Sequence, residues 1–167
     1  MEKIQVAILM GSDSDLEIMR KASEALQEFK VPHEVRVLSA HRTPVALEKF
    51  LREAEQRDCR VYICGAGMAA HLAGAVAART TRPVIGVPLP GGVMDGLDAL
   101  LATVQMPGGM PVATVAVGGA RNAAILAVQI LALEDAHLRK ALDDQRDKAA
   151  AKLAEKDAEI ARRYGRE

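Results

Sequence analysis

The chain has 167 residues, with 22 basic and 22 acidic side chains and a formal net charge of +0 at pH 7. This length predicts one domain with a substantial core, and the balanced charge argues against nucleic acid as a partner. Half of the residues are hydrophobic but only 2% are aromatic, and this aliphatic composition favours helices packed on a parallel sheet.

The N-terminal segment and the two cysteines predict a cytoplasmic protein. The N-terminal sequence MEKIQVAILMGS has too short an apolar run for a signal peptide, so we expect neither export nor a membrane. Cys59 and Cys64 lack CxxC spacing, which favours structural thiols over a metal or redox role. We expect no metal site, because the four histidines lie in separate segments: His33, His41, His71 and His137. We expect no cofactor either.

Short apolar runs alternate with helical patterns along most of the chain. The predicted strands are Ile4–Met10, Glu34–Leu38, Val61–Cys64, Val84–Val87 and Val112–Val117. The predicted helices are Leu16–Phe29, Val45–Glu55, His71–Ala78 and, more weakly, Asp98–Val104. Runs this apolar are expected of strands that are covered on both faces. The order predicts an α/β fold, a flavodoxin-like three-layer αβα sandwich with a central parallel sheet.

The C-terminal part predicts a helical extension. After Asn122 the sequence is apolar nearly all round, which predicts a buried helix. We therefore place one α/β catalytic domain at 1–133 and a charged helix at 134–167. The helix either packs on a neighbouring subunit or is a solvated tail. Its larger apolar residues recur at mostly four- and seven-residue steps: Leu138, Leu142, Leu153, Ile160 and Tyr164.

The first two candidate loops each follow a predicted strand and open a helix. In the sequence GSDSD, Ser12 and helix amides can bind a phosphate and Asp15 can bind ribose hydroxyls; plain helix capping is the alternative. In the sequence SAHRTP, Arg42 can hold a phosphate and His41 can exchange a proton near neutral pH. Here the alternative is a helix start with a histidine that merely caps the strand end.

The third candidate loop, Gly65–Leu72, lets a flat heterocycle approach the backbone. It completes neither a dinucleotide fingerprint nor a Walker loop, and His71 can equally be an ordinary helix histidine. The loops Pro88–Gly92 and Gln105–Gly109 are either ligand-covering segments or simple turns. No GxSxG motif is present and neither cysteine begins a helix, so covalent catalysis has no good candidate.

Taken in order, five motifs resemble the bacterial 5-(carboxyamino)imidazole ribonucleotide mutase family: GSDSD, SAHRTP, GAGMAAHLAG, PVIGVP and LDALLATVQMPGGMPVATVAV. The resemblance covers roughly Val6 to Leu133. It implies conversion of this ribonucleotide to its 4-carboxy isomer in purine synthesis, through released CO₂. It also implies a homo-octamer of flavodoxin-like subunits and, as functional partner, an ATP-dependent synthase that makes the substrate.

The same resemblance implies roles for particular residues. His41 is the expected catalytic residue at the reacting carbon, and Ser12, Asp15 and Arg42 are expected on the ribose and phosphate. The remaining predicted substrate-binding residues are Ser39, Gly67, Met68, Ala69, His71 and Leu72. One imidazole can then donate a proton when CO₂ leaves nitrogen and accept one when CO₂ has joined carbon.

The sequence departs from the family pattern at Ala73, where many relatives have Pro, and in the loop Leu89–Met94. A second branch of the family carboxylates aminoimidazole ribonucleotide directly. It typically has Lys in place of Arg42 and lacks the AAHL run, so Arg42 and Ala69–Leu72 favour the mutase.

Two alternatives of other classes stay open. A flavodoxin-like module can bind a nucleotide or phosphate without catalysis, and the chain can serve chiefly as an assembly subunit. Flavin binding would favour an aromatic side chain in a candidate loop, but the four aromatic residues lie elsewhere: Phe29, Phe50, Tyr62 and Tyr164.

Overall fold

The computed structural model describes residues 2–165, which contain a five-stranded parallel sheet and α-helices. The strands are β1 (Val6–Met10), β2 (His33–Val37), β3 (Val61–Ala66), β4 (Val84–Pro88) and β5 (Ala113–Thr114). The helices are α1 (Leu16–Glu28), α2 (Pro44–Gln56), α3 (Leu72–Ala77), α4 (Leu97–Val104), α5 (Ala120–Leu131) and α6 (Ala136–Tyr164). Short 3₁₀ turns at Asp13–Asp15 and Val93–Asp95 precede α1 and α4.

The strand order is β2-β1-β3-β4-β5, and every neighbouring pair is parallel. This is the flavodoxin-like order, so the predicted fold class is confirmed. From β1 the chain first adds β2 on one side. It then crosses to the other side of β1 and adds β3, β4 and β5 in turn. Ligands of such sheets bind outside the carboxyl ends of the strands where this reversal occurs, which here is between β1 and β3.

The central strands are covered on both faces, as their apolar sequences predict. All residues of β1 and β4 are buried, and so are all residues of β3 except Ala66, which is half-buried. The expectation was wrong for β2, which is only half-buried. This strand lies at the edge of the sheet and carries His33, Glu34 and Arg36, and Arg36 pairs with Glu34 at 3.1 Å.

The fifth strand is shorter than predicted. The sequence suggests Val112–Val117, but only Ala113 and Thr114 pair continuously with β4. The chain still follows β4 afterwards, because the Val115 and Gly118 amides donate to the carbonyl oxygens of Gly86 (3.0 Å) and Pro88 (2.8 Å). The apolar pattern therefore predicts the path of this segment correctly, but it overestimates the number of residues that pair with β4.

The chain contains two compact units, Met1–Val128 and Gln129–Glu167. The second unit is dominated by α6, a helix of 29 residues. Its first turn is capped by the Asp135 carboxylate, which accepts hydrogen bonds from the amides of His137 (2.8 Å) and Leu138 (3.1 Å). Among residues 2–165, no helix combines the length and the apolar character that crossing a membrane would require.

Replacing Gly86 by alanine is expected to destabilise the sheet. A Cβ at this position would lie 2.4 Å from Thr103 Cγ2 and 3.0 Å from Val112 Cγ1. Thr103 is buried and its hydroxyl donates to the Ala99 carbonyl oxygen at 2.7 Å, so it has little room to move. Overpacking of this kind costs about 1–3 kcal/mol, which thermal unfolding of Gly86→Ala would register as a lower Tm.

Gly108→Ala is the matched control, because a Cβ there has no neighbour within 4 Å among the described residues. Its Tm should stay close to that of the wild type. Equal melting temperatures for the two variants would contradict the close packing of β4 against α4.

Candidate functional site

The loops that follow β1, β2 and β3 meet at the carboxyl edge of the sheet and form a cleft of about 450 Å³. All ten predicted site residues line it: Ser12, Asp15, Ser39, His41, Arg42, Gly67, Met68, Ala69, His71 and Leu72. Four further residues line it as well: Gly11, Ser14, Ala40 and Ala66. These four adjoin predicted positions in the same motifs, which is the signal by which the sequence could have indicated them.

The loop after β1 is a hydrogen-bonded turn. The Asp15 carboxylate accepts from the Ser12 amide at 3.0 Å, and the Ser12 hydroxyl accepts from the Ser14 amide at 3.4 Å. The Ser14 hydroxyl also donates to that of Ser12 at 2.9 Å. The capping role that the sequence offered as an alternative is therefore present. Because the same side chains also face the cleft, capping and ligand contact are compatible.

Arg42 connects the loop after β2 to the loop after β1. Its Nη2 donates to the Gly11 carbonyl oxygen at 2.5 Å, and its Nε lies 3.4 Å from the Ser39 hydroxyl oxygen. The Ser39 hydroxyl also accepts from the Arg42 amide at 3.1 Å. A guanidinium has five N–H donors, so two protein contacts still leave it able to bind an anion in the cleft.

The two histidines of the cleft form a pair. His41 Nε2 lies 3.0 Å from His71 Nδ1, and the ring centroids are 4.9 Å apart with an interplanar angle of 70°. His71 Nδ1 is also 2.9 Å from the Ala69 carbonyl oxygen. Both side chains are solvent-exposed, so a ligand can reach them. The sequence does not predict this contact, because the two histidines lie in different loops.

The loops after β4 and α4 are the two further candidates for covering a ligand. Neither Pro88–Gly92 nor Gln105–Gly109 contributes a lining residue to the cleft. The segment after Pro90 has an unusual backbone, because Met94 (φ 48°) and Asp95 (φ 52°) adopt left-handed conformations. Such conformations are uncommon outside glycine. The start of the loop after β4 borders the cleft wall, because the Leu89 amide donates to the carbonyl oxygen of Ala66 at 2.9 Å.

A larger cavity, of about 900 Å³, lies at the opposite edge of the sheet. It is lined by segments that precede β4 and β5, including Arg79, Arg82 and Met110. Thr80 and Glu55 are hydrogen-bonded there. This cavity contains no histidine and lies at the amino ends of the strands. The smaller cleft combines proton-transfer and anion-binding side chains at the edge where parallel sheets bind ligands.

The chain is similar to known proteins over nearly its whole length. Residues 5–152 match the family AIRC, described as AIR carboxylase. The N5-carboxyaminoimidazole ribonucleotide mutase of Mycobacterium tuberculosis H37Rv is 53% identical over 165 residues, which are 99% of this chain and 95% of that protein. The mutase of Synechocystis is 50% identical over 157 residues, 94% and 89% of the two chains. The crystal structure of Treponema denticola PurE has a TM-score of 0.87 at 31% identity, covering 95% of this chain and 99% of the other.

The two cysteines lie away from the cleft, in the core. Cys59 and Cys64 are buried free thiols. Burial raises the pKa of Cys59 to about 11, since a thiolate would be poorly solvated there, and it raises the pKa of Cys64 further. Both thiols are therefore protonated at neutral pH, and neither is a nucleophile in the folded protein.

We predict that neither cysteine reacts rapidly with a thiol reagent at pH 8 until the protein is unfolded, when both should react. Burial raises the pKa of Cys59 in the folded state above its unfolded value. The buried, protonated thiol therefore contributes fully to the free energy of unfolding below about pH 8.5, and this contribution is lost as the pH rises towards 11. The measurement is thiol titration of native and denatured protein. Rapid modification of a native thiol would contradict the buried, protonated assignment.

Proposed function

The chain belongs to the AIR carboxylase family, and from that premise we propose that it is an N5-carboxyaminoimidazole ribonucleotide mutase, an isomerase of purine biosynthesis. The observation that carries the proposal is the convergence of His41, Arg42 and the Ser12–Asp15 turn on one cleft. The 53% identity to a curated mutase over 99% of the chain supports the same activity.

The polar end of the cleft binds the ribose phosphate. Arg42 is permanently charged and donates to phosphate oxygens with the N–H groups that its contacts to Gly11 and Ser39 leave over. The Ser12 hydroxyl adds a donor, and the Asp15 carboxylate accepts from ribose hydroxyls. The turn contacts hold these groups in place before the ligand arrives, which reduces the entropy lost on binding.

The loop between β3 and α3 receives the imidazole ring and its carboxylate. Gly67 has no side chain, and Ala69 has only a methyl group, so a flat ring can approach their backbone. Met68 and Leu72 provide apolar contact at the same loop. Ser39 completes the opposite wall beside Arg42. This arrangement holds the ring next to His41.

The reaction moves one carboxyl group from the exocyclic nitrogen to ring carbon C4 and one proton from C4 to that nitrogen. The bond between the exocyclic nitrogen and the carboxyl carbon breaks, its electron pair stays on nitrogen, and protonated His41 supplies a proton to that nitrogen. Ring carbon C4 then forms a bond to the released CO₂. Neutral His41 removes the C4 proton, which restores the aromatic ring and returns the imidazole to its protonated state.

Positioning and proton transfer lower the activation free energy of these reaction steps. General acid and base catalysis contributes roughly 10²–10⁴-fold. Holding CO₂ and C4 within attack distance contributes further, because it avoids the entropy cost of bringing them together. The overall change is an isomerisation, so ATP is not consumed and added bicarbonate is not required.

His41→Asn should abolish most turnover while the fold is kept, because an amide cannot transfer the proton. Formation of the 4-carboxy product from freshly made N5-carboxyaminoimidazole ribonucleotide, without ATP or bicarbonate, should fall on the order of 10²–10⁴-fold. His137→Asn is the matched control, since His137 is an exposed residue of α6. Activity of His41→Asn within a few-fold of the wild type would refute His41 as the proton carrier.

The direct carboxylation of aminoimidazole ribonucleotide is the competing reaction of the same family. It would make the rate depend on bicarbonate, whereas the mutase works without it. Identity of 50% or more to proteins named as mutases favours the mutase. A binding module or an assembly subunit without catalysis would have no need of a histidine pair beside an arginine in a cleft.

The proposed assembly is a cytoplasmic homo-octamer that works with an ATP-dependent synthase supplying the substrate. Apolar side chains exposed on helices support an assembly, because large exposed apolar patches mark interaction surfaces. Those of α4 and α6 recur at helical spacing: Leu97, Leu101, Val104, Leu153, Ile160 and Tyr164. In this proposal, the charged helix 134–167 packs on a neighbouring subunit of the α/β catalytic domain 1–133.

The double variant Leu153→Glu/Ile160→Glu should reduce the assembly, because it introduces two carboxylates into the proposed contact. Light scattering should give a smaller particle mass, and Tm should fall. Ala151→Glu/Ala158→Glu is the matched control, with the same change seven residues apart on the opposite side of the exposed helix. If both double variants keep the wild-type mass and Tm, α6 does not hold subunits together through this stripe.

A further inference from the structure

The protonation of His71 follows from its neighbours. Its Nδ1 lies 2.9 Å from the Ala69 carbonyl oxygen, which can only accept a hydrogen bond. A lone pair on Nδ1 would face the lone pairs of that oxygen at this distance. The contact is favourable only if Nδ1 carries a hydrogen. His71 is therefore a hydrogen-bond donor at Nδ1.

The protonation of His41 follows from that of His71. His41 Nε2 lies 3.0 Å from the same Nδ1, so it also receives that N–H group. A hydrogen on His41 Nε2 would be directed at the hydrogen on His71. Nε2 must then present its lone pair, and the single proton of the neutral His41 ring is on Nδ1. The His71 proton is shared between one oxygen and one nitrogen acceptor.

We propose that His71 is a positioning residue, which selects the tautomer of neutral His41 with its lone pair on Nε2 and holds that nitrogen beside the cleft until the substrate C4–H takes the place of the His71 N–H. This inference rests on the proposed function, in which neutral His41 removes the C4 proton. It assigns Nε2 as the nitrogen that performs this step. Without the donor, neutral His41 would divide between two tautomers and rotate more freely.

The Ala69 carbonyl oxygen allows the pair to separate during the reaction. Once Nε2 has taken a proton, it can no longer accept from His71, and the two N–H groups disfavour each other. His71 then keeps its hydrogen bond to Ala69, so no donor loses all its partners. Protonated His41 is released towards the substrate nitrogen. In the base step the same bond to Ala69 satisfies the His71 N–H, so the Nε2 lone pair of neutral His41 is free to take the C4 proton.

The test compares two substitutions of His71 by kinetics. His71→Leu removes the donor and should lower kcat by about 10–100-fold, by analogy with loss of a group that orients a metal-bound imidazole, with little change in KM. His71→Asn offers an amide N–H close to the position of Nδ1 and should restore most of kcat. A rise in KM alone would mean that His71 only contacts the substrate, and would overturn the inference.

A second measurement is independent of turnover. In the wild-type protein labelled with ¹⁵N-histidine at alkaline pH, the His41 signals should show a protonated Nδ1 and an unprotonated Nε2. In His71→Leu they should move towards a mixture of tautomers. Wild-type His41 protonated on Nε2, or unchanged signals in His71→Leu, would overturn the inference and leave the mutase proposal intact. If the tautomer is as assigned but the wild type converts no substrate, the proposed function fails instead.

Discussion

The parallel pairing of β1 with both β2 and β3 is the constraint on which the rest of the structure depends. Five residues of β1 are completely buried between these two neighbours, so the carboxyl ends of all three strands lie side by side. Their following loops then meet without any long connection. Arg42 strengthens this meeting by bonding the carbonyl oxygen of Gly11 in the adjacent loop. The cleft is a direct consequence of strand order.

The chemistry proposed for the cleft needs few groups because CO₂ stays within it. An anion-binding arginine fixes the phosphate end, small residues admit the ring, and one imidazole moves the proton in both directions. In our proposal, the contact between His41 and His71 selects the nitrogen of His41 that accepts the proton. The buried thiols take no part, since burial keeps both protonated. Stability and chemistry are therefore separated between the core and the carboxyl edge.

The sequence predicts the parts of this structure that depend on local pattern. Apolar runs and helical spacing identify all five strands and the helices between them, and the motif order predicts which loops share an edge. The exposure of β2 and the shortness of β5 depend on their edge positions, which periodicity does not encode. The pairing of His41 with His71 joins residues 30 positions apart and depends on loop conformation, including left-handed Met68 (φ 50°). Sequence spacing carries no such information.

The central claim is that the carboxyl group is moved within one substrate molecule and is not taken from solution. The most direct measurement uses N5-carboxyaminoimidazole ribonucleotide with ¹³C in its carboxyl group, turned over once in excess unlabelled bicarbonate. Mass spectrometry of the 4-carboxy product should find the label retained, because the released CO₂ is recaptured in the cleft before it exchanges. Product without label would show that the carboxyl group comes from solution and would contradict the mutase.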